Sequence, residues 1–246
     1  METILKYDLY LHIIAGIVAL ITGFIAMVAK KGKLPHRKAG QWYFCAMATV
    51  CVTALIRFRL SPIIVFLTMI AIFSFYLNFS GRRILSFKKQ ETQIKFIDWL
   101  MAYFTLICGF LMCVSCIYFF QQSTTLSVLF AFFGIFCISI SRSDILRFQG
   151  KIEVEKMHWF FHHIGRMMGS YSATVTAFVI TNNHGVLPDL VAWIAPGVII
   201  GVLSDVWSNR LRKDYDIPAV PLLPVRIFQS IYDTAKQVNK FVGLSK

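Results

Sequence analysis

Six side chains in this chain have the types and spacing to do chemistry. His158, His162 and His163 stand in the stretch 156–181, KMHWFFHHIGRMMGSYSATVTAFVIT, with Arg166 just beyond them. His36 sits in LPHRKAG, and Asp205 in VLSDVWSNR. His158 and His162 are four residues apart, so on a helix both rings reach one metal ion from adjacent turns. His36 would supply a third metal ligand, and Asp205 a fourth or an orienting partner. Equally, one imidazole from each of two elements, His36 and His162, would hold a haem b, with Arg166 facing its propionates.

Three classes of function follow from that set. Haem b or a transition metal would give a redox or haem-handling role. Zinc would activate water for hydrolysis of a lipid-like substrate. Without a metal, the cluster would contact an anion or a lipid headgroup in a transporter or scaffold. Against all three stands the plain alternative that these rings hydrogen-bond at a helix end. Other chemistries leave no trace: the chain has no GxSxG, no P-loop, no glycine-rich dinucleotide fingerprint and no HExxH. Cys113 and Cys116 form a CxxC in an apolar run, where small apolar filling is the expected role.

The elements that position these residues are membrane spans. Hydrophobic residues make up 57% of the 246, and mean hydropathy is +0.65, well above a soluble domain. Seven apolar runs mark candidate spans: 9–29, 41–56, 63–79, 98–120, 126–140, 157–181 and 190–207. The second and fifth are short and would need snorkelling side chains or a thin bilayer. The residues before the first run include Glu2, Lys6 and Asp8, so a cleavable signal peptide is not expected.

The net charge of +13 reflects membrane orientation rather than nucleic-acid binding. Lysines and arginines crowd alternate loops: 30–40, 81–97, 141–156 and the tail from 208. The loops between carry almost none. By the positive-inside rule the N-terminus lies outside and the C-terminus inside. The chain thus reads as an all-α membrane protein in two parts. Residues 1–213 form a seven-span transmembrane domain, and 214–246 a cytoplasmic tail. In the tail, Phe228, Ile231, Tyr232, Ala235, Val238 and Val242 recur at helical spacing, as in an interfacial amphipathic helix held by anionic headgroups at the cytoplasmic face.

Within the sixth span, His158, His162, Gly165, Gly169, Ala173 and Thr176 share one face. Gly165 and Gly169 would let a neighbouring helix approach closely. Arg166 lies about 13 Å from the start of the span at 1.5 Å per residue. No run places a carboxylate at that depth, so its expected partner is Asp205, backbone carbonyls or a bound anion.

HIIAGIVALITGFIAM followed by HRKAGQWYFCAMATV, and GRMMGSYSATVTAFVITNN later, resemble a family of bacterial multi-pass membrane proteins of unknown function. Its patterns are His-Arg-x-x-Gly and Gly-Ser-Tyr-x-Ala-Thr. The resemblance covers the first two spans and the sixth, and implies a protein of the bacterial inner membrane. His-Arg-x-x-Gly is also similar to segments of transmembrane b-type cytochromes. HWFFH is similar to the His-x-x-x-His of the progestin–adiponectin receptor and ceramidase superfamily of zinc hydrolases. That superfamily places its pair on the last span and adds a Ser-x-x-x-His, which this chain lacks.

Overall fold

A computed structural model of the chain describes residues 2–88, 93–152 and 155–222. Among them all regular structure is helical. The helices are α1 (Glu2–Val28), α2 (Leu34–Ile56), α3 (Pro62–Arg83), α4 (Phe96–Tyr118), α5 (Thr124–Phe148), α6 (His158–Thr181) and α7 (Asp189–Lys213), with a 3₁₀ turn over Ile84–Lys88 after α3. The expected tail helix lies outside the described residues.

Six of these helices are long and apolar enough to cross a membrane; α6 is not among them. Its histidines, serines and threonines lower its hydropathy. Much of the outward surface is apolar, including Ile14, Ile17, Phe24, Phe110 and Ile117. Such a surface suits lipid rather than water, and the architecture is that of a polytopic membrane protein.

Two helices correct the expected bounds. α2 begins at Leu34, not 41, because Pro35 in its first turn is preorganised for a helical start. α5 continues through SRSDILRF to Phe148, eight residues past the apolar run. Both therefore have spanning length, and neither needs a thinned bilayer.

α3 lies in the middle, against α2, α4, α5 and α6. α6 packs on α7 and α3, and touches α1. The tightest join is between α4 and α5. A Cβ added at Gly109 would come within 2.8 Å of Cys137 Cβ, and one at Gly134 within 3.0 Å of the Gly109 carbonyl. Phe66 of α3 carries the main core edge-on to Phe130 and Trp193. A second core gathers Ala19, Tyr43, Met47 and Tyr171 between α1, α2 and α6.

Helix ends leave carbonyls without intrahelical donors. Lys31 Nζ donates to the Ala26, Met27 and Ala29 carbonyls at the end of α1. It also lies 4.4 Å over the Trp207 ring, and burial lowers its pKa. The α1–α2 turn is tied to the end of α7 in this way.

Candidate functional site

Arg166 is the deepest cation of α6, and its partner is Asp144 of α5. Arg166 Nη2 donates to both Asp144 oxygens at 2.7 Å. Arg147 Nη1 donates to Asp144 Oδ1 at 2.6 Å, and the Tyr76 hydroxyl to Oδ2 at 2.5 Å. His162 Nε2 lies 3.4 Å from the same carboxylate. The expectation that no carboxylate reaches this depth is therefore corrected, as is the pairing with Asp205. The apolar run stops at Ile140, but the helix does not, and its next turn delivers the acid. Gly81 lets α6 lie close on α3 here: a Cβ there would lie 2.9 Å from Arg166 Cβ.

The histidines fall into two pairs. His158 and His162 are stacked along α6 with ring centroids 4.9 Å apart. His36 instead meets His163, edge to face, at 6.3 Å. In that second pair each ring closes a helix end. His36 Nδ1–H donates to the Ala26 carbonyl at 2.8 Å, and His163 Nδ1–H to the Gly81 carbonyl at 2.7 Å. Among the described residues no three His, Cys, Asp or Glu side chains gather as a metal site would.

A cavity of about 1220 Å³, open in part to the outside through exposed Ile13, Ile17 and Phe178, runs beside α6. Its wall includes His158, His162, Arg166 and Asp205 of the expected set, but not His36. Glu155, Arg212 and Ser208 line one end, and His12, Thr181 and Asn182 the other. The volume exceeds the usual range of small-molecule pockets, about 300–1,000 Å³. Most of the wall between the two ends is apolar, with Leu20, Phe73, Leu77 and Phe133 among its residues.

At the Glu155 end, Arg212 closes a strap. Its Nη1 and Nη2 donate to Glu155 at 2.8 and 2.5 Å, and its guanidinium lies 4.3 Å over Phe161. Hydrogen bonds from Arg212 hold the Glu155 carboxyl below its ordinary pKa, against the opposing effect of burial. At the His12 end, His12 Nδ1 is 2.7 Å from Thr53 Oγ1. Asp8, one turn before His12, is buried and 3.9 Å from Arg57.

Six buried side-chain nitrogen or oxygen atoms lack a hydrogen-bond partner among the described residues. Three are nitrogens: His158 Nε2, Arg166 Nη1 and Arg212 Nε. All three belong to residues of the cavity wall. The three oxygens, on Asp8, Asn78 and Ser127, belong to residues outside it. Buried polar groups are normally satisfied; Arg166 Nη1 and Arg212 Nε, which can only donate, each lack an acceptor.

Sequence reasoning singled out Arg166 and His158 but passed over Asp144, Arg147, Glu155 and Arg212. One signal for Asp144 was present. The spacing of Phe130, Gly134, Cys137, Ser141, Asp144 and Ile145 keeps one helix face going beyond the apolar run.

Compared with known protein families, curated proteins and solved structures, the chain matches none.

Proposed function

We propose that the chain is a seven-span protein of the bacterial inner membrane that holds an anionic ligand inside its bundle, in a carrier or scaffold role. The observation behind this is the arrangement at Arg166. One amino group, Nη2, is committed to Asp144, while the other, Nη1, is buried without a partner in a residue of the cavity wall. A guanidinium that spends one amino group on its counter-ion and leaves the other unpaired is a ready acceptor-binding group.

The seven-span topology follows from treating α6 as a span. It packs against α1, α3 and α7, so its polar groups need not face lipid. By the positive-inside rule the basic loops favour an N-terminus outside. Reporter fusions in the turn after α1 and in the turn after α4 test this, the first reading cytoplasmic and the second external.

Arg166→Lys tests the ligand. Lysine keeps a cation beside Asp144 but removes the forked second amino group. Phosphate and sulfate should raise the unfolding midpoint of the purified wild type, as any ligand selective for the folded state does. The Arg166→Lys variant should lose that response. An unchanged response in the variant refutes the assignment.

A haem or transition-metal role, including a zinc-dependent hydrolase, draws on a separate observation. His158 Nε2 is unpartnered beside His162, and Asp205 shares their wall. An absorbance spectrum with elemental analysis of the gently purified protein tests it. A Soret band or stoichiometric metal, lost in His158→Ala, would favour that role over the anion alone.

A further inference from the structure

The end of the cavity away from Arg166 has a chemistry of its own. Its polar side chains include His12 on α1, Thr181 at the end of α6 and Asn182 just past it. His12 is the one ionisable residue of the described wall at this end.

Hydrogen bonding fixes what these side chains can still do. The Thr53 hydroxyl donates back to its own helix, to the Thr49 carbonyl at 2.8 Å and the Val50 carbonyl at 3.0 Å. With its proton spent, Thr53 Oγ1 accepts from His12 Nδ1–H at 2.7 Å. Neutral His12 therefore carries its proton on Nδ1 and a lone pair on Nε2. At the end of α6 the Thr181 hydroxyl donates to the Ala177 carbonyl at 2.7 Å, and Asn182 Nδ2 to the Phe178 carbonyl at 2.8 Å. Thr181 Oγ1 and Asn182 Oδ1 keep their lone pairs. His12 is only partly buried, and Thr181 and Asn182 are exposed. None of the three holds an enclosed, unpartnered atom, so their acceptors are within reach of the cavity.

Charge points the same way. Asp8, one turn before His12, has a side chain 7% exposed, and Arg57 Nη1 is 3.9 Å from it on a side chain 37% exposed. Solvent screens the exposed guanidinium more than the buried carboxylate, so the local field favours a cation. Asp8 is covered and acts through its charge alone.

We propose that this end of the cavity binds a primary ammonium group. An ammonium has three N–H donors and no acceptor, the complement of His12 Nε2, Thr181 Oγ1 and Asn182 Oδ1. The site does not rest on the anion reading. Asn182 follows Arg166 by 16 positions, about 24 Å along a helix at 1.5 Å per residue, so no small zwitterion joins the two.

The test uses the full chain in phosphatidylcholine nanodiscs, in a buffer free of amines, with methylammonium as the probe. Methylammonium should raise the thermal unfolding midpoint saturably. Tetramethylammonium, with the same charge and no N–H, should not. His12→Asn keeps an amide N–H for Thr53 but sets no acceptor where Nε2 stands. It should weaken methylammonium binding by about tenfold or more, as loss of one hydrogen bond to a charged group does. His12→Gln, whose amide oxygen reaches the Nε2 position, should retain more of it. Asn182→Ala, at an exposed position, repeats the test where folding is little disturbed. Stabilisation by phosphate should persist in all three variants. A response that weakens when phosphatidylethanolamine is added to the discs assigns the site to that headgroup; an unchanged one assigns it to a water-soluble amine. Equal responses to the two ammonium ions refute the site, as does unchanged methylammonium affinity in both His12→Asn and Asn182→Ala. No methylammonium response beside an intact phosphate response refutes this site and leaves the anion reading standing.

Discussion

The Asp144 cluster makes an asymmetric prediction about stability. Asp144 has two cationic partners, Arg166 and Arg147, and a third donor in Tyr76. Its side chain is only 3% exposed. Asp144→Leu leaves two guanidiniums without their counter-ion, one of them 8% exposed. Breaking a buried pair from one side costs about 3–5 kcal/mol, and this change belongs at the upper end. Arg166→Leu is milder. Asp144 keeps Arg147 at 2.6 Å and the Tyr76 hydroxyl, so the loss is the charge-assisted bonding from one residue, about 1.5–3 kcal/mol. In the double variant Arg147, near the end of α5 and 14% exposed, can extend its head to the interface. The double variant should therefore be less damaged than the sum of the singles by at least about 2 kcal/mol. Unfolding by dodecyl sulfate in mixed micelles, followed by circular dichroism, measures all three. Additivity within about 0.5 kcal/mol, or a larger loss from Arg166→Leu than from Asp144→Leu, refutes the cluster as described.

The Glu155–Arg212 strap should respond to acid. Glu155 titrates below its ordinary 4.5 in the folded state, so its contribution is complete above that value and is lost as pH falls through the lower folded one. Glu155 is 42% exposed, so the effect is small. It should appear as a loss of unfolding midpoint on acidification that is shallower in Glu155→Gln; identical slopes would show that the strap adds nothing. Gly109→Ala should destabilise by about 1–3 kcal/mol through overpacking against Cys137 and the Ile138 backbone. Gly165→Ala should be neutral or gain up to about 1 kcal/mol of helix propensity, and the same micelle titration separates the two. Asp98→Ala removes the carboxylate that accepts from Arg83 Nε and Nη2 at 2.8 and 2.9 Å and from the Lys95 backbone N–H at 2.8 Å. It should cost about 3–5 kcal/mol, and Asp98→Asn, which keeps an acceptor for the cap, should cost less.

The helices were legible because a spanning helix needs only a long apolar run, and every run expected from the sequence overlaps one helix. Their ends were not, because helix geometry outlasts hydrophobicity. α2 starts on the polar LPHRKAG and α5 finishes on SRSDILRF. That second miss mattered, since it hid the acid that holds Arg166. The inward face of α6 was legible from its period: His158, His162, Gly165 and Gly169 do share a cavity wall. The partner of His36 was not. Adjacent residues 162 and 163 point about 100° apart on a helix, and only the packing of α6 on α3 decides which of them turns towards α1 and α2. It is His163, held by the Gly81 carbonyl.

Small residues were the least legible feature, for a physical reason. A glycine removes a side chain, and what fills the gap depends on the neighbour. At Gly23 the neighbours are Tyr171 and Tyr43, whose rings occupy the space a Cβ would need. At Gly16, two turns earlier on the same face of α1, nothing does. The two tyrosines fill the contact at Gly23, and elsewhere the α1 and α6 backbones approach at few points. Tyr43 is in turn held by hydroxyl contacts to Ser170 at 2.8 Å and Thr174 at 3.2 Å. Rings packed at Gly23 and glycines left uncovered at Gly16 and Gly165, one on either side of that contact, leave space beside α6 that dispersion would otherwise favour closing. Glycine itself is common to both outcomes. The bulk of the residue opposite decides between a tight seam and a cavity.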